Sequence, residues 1–505
     1  MVMVRRKTAL ACMLALGVVL AWLVSSWGAA EFSDETASLL PAIEDDTRKA
    51  AFADFDSDGD QDLFVVNTGL EDEGVDRLLI YQGGAFVDLT LERLPEELSS
   101  RYGSSCLVWD VEPDGDQDIL IANMFNGRMR LLLNSNVSPG YFVLDDPEAP
   151  GARLPELRGY QDVCALDLEP DGDQDLILVP ASGRARVMMN VGDGYFADTT
   201  DASIPFSWGG GNTSALSGDW DGDELEDLFL PTAGGQARLL LNDSGVFWDA
   251  TATHLPDSMP AARATAADVD RDGDLDLILA DDGDMACRLF INDGQGVFTD
   301  ETGDRLPSVG PASVDVLATD MDADGDTDII LSDLGDGVQG VAPTYLDNDG
   351  TGHFTDGSDW VDLFEASGYC IAAVDVTGDQ LPDLFAGCGG FGPPGSPSRQ
   401  NRILVNQGQD ALDPYGRPAR LSLGRPFPNP FTEEVSVRLS VSEGVPYSLR
   451  ILNLRGRAMG DAATGTGVGV PMVEGIGGTN LTPGAYLIQL ESGGARASTR
   501  VIKLD

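Results

Sequence analysis

The chain has 505 residues, 42% hydrophobic and 7% aromatic, with 60 Gly and 28 Pro. That length supports more than one domain and a large core, and the Gly and Pro content favours short strands and turns over long helices. Its 84 acidic residues against 31 basic ones give a net charge of −53, which repels phosphate backbones and anionic headgroups and excludes nucleic acid as a partner.

The N-terminus reads as an export signal over residues 1–30. Arg5, Arg6 and Lys7 precede an apolar stretch, 9–24, and Gly28 and Ala30 stand at the −3 and −1 positions of a cleavage site before Glu31. A retained membrane anchor is the alternative, because the apolar run is nearly long enough to span. After cleavage no membrane span is expected. Cys12 falls in the signal. Of the five other cysteines, Cys370 and Cys388 flank one acidic loop symmetrically. A disulfide across that loop and two buried thiols are both open.

One pattern then dominates. An acidic loop of nine positions begins at Asp54, Asp110, Asp167, Asp219, Asp268, Asp320 and Asp375, at intervals of 56, 57, 52, 49, 52 and 55 residues. Self-similarity at this period marks one repeated structural unit. Each unit has four strand-like segments. A small-residue run precedes the loop, as at 264–267, and an apolar run follows it, as at 276–280. A third run is led by arginine and ends in asparagine (Arg238 to Asn242, Arg288 to Asn292, Arg402 to Asn406). The fourth reads Phe-x-Asp-x-Thr, as at Phe86 to Thr90 and Phe298 to Thr302. Four short antiparallel strands per unit describe a blade, and seven units a seven-bladed β-propeller. The last unit lacks its Phe-x-Asp-x-Thr segment, and residues 32–36 hold a spare copy with Phe32, Asp34 and Thr36. The N-terminal strand is therefore expected to complete the last blade and remove a sheet edge.

The loops have the chemistry of a calcium site. Calcium takes several hard oxygen ligands around a tight turn, and crowded carboxylates repel one another without a cation. The expected ligands are carboxylates at positions 1, 3, 5 and 9 and the carbonyl at position 7. Loop 1 supplies Asp54, Asp56, Asp58, Asp60 and Asp62. Loop 2 supplies Asp110, Glu112, Asp114, Asp116 and Asp118. Loop 3 has Asp167, Glu169, Asp171, Asp173 and Asp175. Loop 4 has Asp219, Asp221, Asp223, Leu225 and Asp227. Loop 5 has Asp268, Asp270, Asp272, Asp274 and Asp276, and loop 6 has Asp320, Asp322, Asp324, Asp326 and Asp328. Loop 7 keeps only Asp375, Asp379 and Asp383, with Thr377 at position 3, and is expected to bind weakly or not at all. Gly59 at position 6 permits the bend. Position 12, glutamate in an EF-hand, is apolar in every copy. Up to seven calcium ions would offset much of the net charge, since 34 acidic residues lie in these loops.

These loops, including the Asp375-Val-Thr-Gly-Asp379-Gln-Leu-Pro-Asp383 form, resemble the FG-GAP/VCBS repeats of integrin α-like propellers. The resemblance implies calcium on one rim, with ligand on the opposite rim or the blade edges. Members of the family range from adhesins to domains attached to enzymes.

Residues 413–424 read as a linker between a propeller over 31–412 and a small Ig-like β-sandwich over 425–505. Within the latter, Val435, Val437, Leu439 and Val441 alternate with polar residues as in a half-buried strand. The Asn429-Pro430-Phe431 entry, the Gly484-Ala-Tyr486 strand and the basic end Arg500-Val-Ile-Lys503 resemble the C-terminal sorting domain of type IX secretion cargo. They are also similar to a flagellar hook-capping Ig-like domain. With an N-terminal signal this implies a secreted or cell-surface protein and contact with outer-membrane secretion machinery. An ordinary accessory β-domain is the alternative.

No catalytic constellation stands out. His254 and His353 are the only histidines, and no nucleophile elbow, phosphate loop or Cys-x-x-Cys is present. Trp109, Trp208, Trp220, Trp248 and Trp360 fit either sugar stacking or blade packing. Inserts at 68–76 and 389–400 fit either recognition loops or tolerated length. The sequence is read as a non-catalytic adhesion or ligand-binding module for an extracellular protein or glycan. A polysaccharide-active lyase or hydrolase and a scaffold of a surface assembly are the alternatives.

Overall fold

The computed structural model describes residues 32–407 apart from 70–73, 96–101, 209–210, 234, 258, 262, 281–286, 309–312, 333–342, 359–367 and 390–399. It also describes residues 421–504 apart from 428–430, 432–433, 442–444, 454–456, 458, 460–462, 467–471, 478–480 and 493–494. The expected signal lies outside the described residues.

Among the described residues of 32–407, seven four-stranded antiparallel sheets follow one another along the chain, here called blades 1 to 7. Blade 5 shows the unit: Arg263–Ala267, Asp276–Ala280, Cys287–Asn292 and Phe298–Asp300 pair in chain order. Second strands such as Asp62–Asn67, Asp118–Asn123 and Asp276–Ala280 are buried at every residue. A strand covered on both faces needs no polar alternation, which accounts for the unbroken apolar run after each acidic loop. The small-residue strand Arg263–Ala267 is only half-buried throughout, as expected for the innermost strand of a blade.

The sheets close into a ring. First strands of successive blades pack side by side, and that of blade 7, Gly368–Val374, packs against that of blade 1, Thr47–Ala53. The apolar clusters lie between blades rather than within them. Phe64, Val66 and Ile80 of blade 1 meet Cys106, Ile119 and Ile121 of blade 2. Leu63 and Val65 of blade 1 meet Phe385 and Ile403 of blade 7. This is a β-propeller architecture, in which each sheet buries its faces against its neighbours.

The N-terminal segment completes blade 7 as expected. Phe32–Asp34 pairs with Arg402–Asn406, with Phe32 opposite Asn406 and Asp34 opposite Leu404. Asp34 meets Arg402 Nη1 at 2.7 Å, and Thr36 Oγ1 accepts from Ile403 N at 3.1 Å. Other blades repeat both contacts: Arg288 pairs with Asp300 at 2.6 Å, and Leu289 N donates to Thr302 Oγ1 at 3.0 Å.

The C-terminal unit has two sheets. Leu421–Phe427, Glu434–Val441 and Met472–Gly477 form one; Ala463–Thr466, Pro446–Asn453, Gly484–Ser492 and Ala495–Lys503 form the other. Val435, Leu439, Val441 and Ile476 of the first pack against Leu449, Ile451, Ile488 and Val501 of the second, as in a β-sandwich. The strand Leu421–Phe427 begins inside the stretch expected to be a linker, because its pairing with Glu434–Val441 extends to Leu421 opposite Val441.

Cys370 and Cys388 are buried free thiols. They do not oppose each other. The register shifts between Gly368 and Cys370, so Cys370 faces Gly387 and Cys388 faces Gly368. An extra residue in one strand moves side chains out of register, and the sequence symmetry about the loop hid it. Among the described residues no helix is long and apolar enough to cross a membrane.

Candidate metal centres

Every acidic loop joins the first strand of a blade to the second, as Ala53 leads to Asp62 and Ala267 to Asp276. All seven therefore lie on one rim, together with the turns between third and fourth strands. The second strands of the neighbouring blades 1 and 7 end on the opposite rim at Asn67 and Cys388, where the inserts at 68–76 and 389–400 begin. Residues 70–73 and 390–399 of these inserts lie outside the described residues.

Within a loop the carboxylates divide their work. Position 1 bends the loop back on itself: Asp54 accepts from Asp58 N and Gly59 N, both at 3.0 Å, and Asp268 accepts from Asp272 N and Gly273 N, both at 3.1 Å. Position 5 accepts from the N–H of position 7, as Asp58 does from Asp60 at 3.0 Å and Asp223 from Leu225 at 2.9 Å. Position 9 is buried and ties the loop to its blade. Asp276 accepts from Val269 N at 3.1 Å and from Asn292 N on the third strand at 2.9 Å. Asp62, Asp118, Asp175, Asp227, Asp328 and Asp383 repeat this pair of bonds.

Position 3 takes little part in this frame, although in loop 6 Asp322 accepts from Asp324 N at 3.2 Å. One oxygen each of Asp56 (Oδ1), Glu112 (Oε2), Glu169 (Oε2), Asp221 (Oδ1) and Asp270 (Oδ1) is buried and accepts no hydrogen bond. Leaving a buried acceptor unpaired costs about 1–3 kcal/mol, and more when it is charged. Asp56, Asp221 and Asp270 also belong to tight carboxylate clusters. Asp219, Asp221 and Asp227 bring oxygens within 4.8 Å of one another, as do Asp268, Asp270 and Asp276; Asp320, Asp322 and Asp328; and Asp54, Asp56 and Asp58. Burial, helped by neighbouring acids, pushes Asp62, Asp118, Asp175, Asp227, Asp276 and Asp328 up to about 7, and Asp383 up to about 8. A buried orphan oxygen beside carboxylates that resist ionising together is what a cation resolves. These clusters can hold a metal ion, and hard oxygen donors are compatible with calcium.

The loops differ as their sequences differ. Positions 4 and 6 are both left-handed in loop 5, Arg271 at φ 62° and Gly273 at φ 99°. Loop 4 exchanges the glycine, with Gly222 at φ 76° and Glu224 at φ 70°. Loops 2 and 3 carry Pro113 and Pro170 at position 4, whose ring forbids that conformation. Among the described residues, loops 2, 3 and 7 do not bring three acidic groups as close as the other four do. In loop 7, Asp375 still accepts from Asp379 N at 3.0 Å and Gln380 N at 2.8 Å, so the frame survives without the position-3 carboxylate.

Two sets of contacts at this rim escaped the sequence reading. The first is made by the asparagine at the end of the third strand in blades 2, 4, 5, 6 and 7. Asn292 Nδ2 donates to Trp220 O, position 2 of the preceding blade's loop, at 2.9 Å, and its Oδ1 accepts from Gly296 N at 3.1 Å. Asn134, Asn242, Asn348 and Asn406 reach back to Phe55, Leu168, Val269 and Met321 in the same way. Blade 1 has Tyr81 at this place, packed with Val376 of loop 7. The second set is made by a basic residue before Leu-Pro after the fourth strand. Arg93 Nη1 meets Asp56 Oδ2 at 3.1 Å, Arg153 Nη2 meets Glu112 Oε1 at 3.5 Å, and Arg305 Nη1 meets Asp270 Oδ2 at 3.0 Å. His254 faces Asp221 and lowers the carboxyl's tendency to hold its proton, against the larger effect of burial. The recurring basic-Leu-Pro at 93–95, 153–155, 254–256 and 305–307 was the available signal.

Of the tryptophans, Trp220 is fully buried and edge-on to Phe298 at 6.0 Å, and Trp109 packs between blades. Trp208 lies 5.9 Å from Phe206, Trp248 is exposed, and Trp360 lies outside the described residues.

A family model described as FG-GAP-like repeat matches residues 167–230, 219–279 and 268–331, and one described as secretion system C-terminal sorting domain matches 426–504. A search of curated protein sequences finds no match. Among solved structures, an Agrocybe aegerita lectin recognising non-reducing terminal N-acetylglucosamine is 17% identical, covering 64% of this chain and 81% of its own, at a TM-score of 0.42. The BBS1N chain crystallised with ARL6DN is 11% identical over 72% of this chain and 93% of its own, at 0.45. The V. cholerae biofilm matrix protein Bap1 is 12% identical over 91% of this chain and 67% of its own, at 0.34. The sorting domain indicates export by type IX secretion, to the surface or beyond it, and contact with that machinery. This chain therefore carries three FG-GAP-like repeats within residues 167–331 and a secretion system C-terminal sorting domain over 426–504.

Proposed function

We propose that this is an exported, calcium-loaded β-propeller acting as a non-catalytic adhesion or ligand-binding module. The proposed divisions are a signal over 1–30, the propeller over 31–412 and the sorting domain from about residue 421, where its first strand starts. The observation that carries the calcium reading is the row of five buried position-3 oxygens without hydrogen bonds. The ligands are the carboxylates at positions 1, 3, 5 and 9 and the position-7 carbonyl, with loop 7 weakest because Thr377 replaces an acid. Calcium would fix the rim so that the opposite rim is held rigid for recognition. On that opposite rim Phe125 is 72% exposed at φ 57°, edge-on to the exposed Tyr102 at 5.3 Å. A bulky residue held left-handed with its ring in solvent supports a contact role there. The test is calorimetric titration of the chelated protein with calcium, followed by a glycan array with calcium present. No heat of binding sinks the metal reading. Turnover of a polysaccharide by the purified protein sinks the non-catalytic one.

A further inference from the structure

We propose that Arg93, Arg153 and Arg305 are positioning residues for the bound cation: each holds one oxygen of a position-3 carboxylate so that the other is presented to the ion. The inference rests on the calcium reading of the loops. Its basis is a division that repeats atom for atom. In Asp56, Asp270 and Glu112 the oxygen facing the arginine is Oδ2, Oδ2 and Oε1. The buried oxygen left without a hydrogen bond is the other one, Oδ1, Oδ1 and Oε2. A carboxylate turns freely about its last bond, and a guanidinium fixed to one oxygen stops that rotation. The charge agrees. Loop 5 brings the carboxylates of Asp268, Asp270 and Asp276 within 4.8 Å of one another, so a divalent ion leaves a surplus of negative charge that Arg305 reduces.

The arginines are themselves held by the following blade. Arg93 and Arg153 lie 5.2 Å and 5.3 Å from the ring centres of Tyr141 and Tyr195, each next to the glycine of a third-to-fourth-strand turn. Arg305 donates to Thr351 O at 2.9 Å. A Cβ on Gly140 or Gly352 would collide with Arg93 Nη1 or Arg305 Nη1. Ion geometry at loops 1, 2 and 5 is thereby coupled to the junction with the next blade. Loop 3 has Ser203 in place of the arginine and serves as the internal control.

The experiment is hydrogen exchange with mass spectrometry on the whole chain, titrated with calcium, reading the midpoint in peptides that cover loops 3 and 5. Arg305→Met is expected to raise the loop 5 midpoint about 10–100-fold, the usual effect of losing a ligand-orienting partner. Loop 3 should keep its wild-type midpoint, and Arg305→Lys should shift loop 5 less. Gly352→Ala, whose Cβ would collide with Arg305 Nη1 and also press on Asp270 Cβ, should move loop 5 in the same direction. A merely structural arginine would raise exchange in chelator and leave the calcium midpoint alone. An unchanged or lowered midpoint in Arg305→Met overturns the proposal, the lowered one showing that the arginine competes with the ion. No calcium response in any wild-type loop overturns the metal reading beneath it, and the wild-type titration separates the two failures.

Discussion

Exchanging single carboxylates in loop 5 separates the group that shapes the loop from the group that holds the ion. Asp276 accepts from Val269 N and Asn292 N, one to each oxygen. In Asp276→Asn the amide offers one oxygen and turns an NH2 group on the other N–H, leaving a buried donor unpaired. That costs about 1–3 kcal/mol whether or not calcium is present. Asp270 differs, because its Oδ1 has no partner and its Oδ2 faces Arg305, which an asparagine oxygen can still meet. In chelator at pH 8, Asp270→Asn should be as stable as wild type or slightly more so. In calcium it should lose the increment of one site, about 2.7 kcal/mol at a hundredfold excess over Kd. Guanidinium denaturation of both variants in chelator and in calcium is the assay. If Asp270→Asn destabilises the chelated protein as much as Asp276→Asn does, position 3 shapes the loop and the division is refuted.

Four further outcomes follow from the same contacts. The position-9 carboxyls are raised by burial to about 7, so the stability they lend the chelated protein is full below about pH 4 and lost as pH rises through 7. The chelated protein should therefore melt lower at pH 8 than at pH 5, and the gain on adding calcium should grow with pH. Asn292→Ala removes buried bonds to Trp220 O, Leu275 O, Gly294 N and Gly296 N, and should cost about 2–4 kcal/mol in denaturant titrations. Starting the chain at residue 37 exposes the edge Arg402–Asn406, and gel filtration should show association or aggregation absent from the chain starting at 31. Cys106, Cys287, Cys370 and Cys388 have thiols pushed up to about 12 by burial, so thiol reagents should label them only on unfolding, and the intact mass should show no Cys370–Cys388 bond.

Much of the ring was legible because it is local and repeated. The loop spacing, the Phe-x-Asp-x-Thr segment and its spare copy at 32–36 each recur within one unit, so the sequence can be compared with itself. Features set by a single irregular residue were not. The bulge before Cys370 leaves no mark in residue type, and the start of the strand at Leu421 depends on its partner Val441. Within the loops, composition identified the acids but could not rank them. Asp270 and Asp276 are the same residue type in one cluster, and only the backbone N–H groups around them show which one frames the loop.

The harder gap is between repeats. Asn134 lies 79 residues from Phe55. A repeat-by-repeat reading assigns it to its own unit, where its reach has no evident target. The ring supplies one, since blades 2, 4, 5, 6 and 7 each send an asparagine onto the loop of the blade before. Blade 1 breaks the rule with Tyr81, and the loop it covers is loop 7, which lacks a position-3 acid. The closing junction is thus held by the strand of residues 32–34 and by apolar packing rather than by a loop with a full set of acids. Opening should begin there. Exchange in the absence of calcium should be fastest at Arg402–Asn406 among the third strands, and uniform exchange around the ring would refute it.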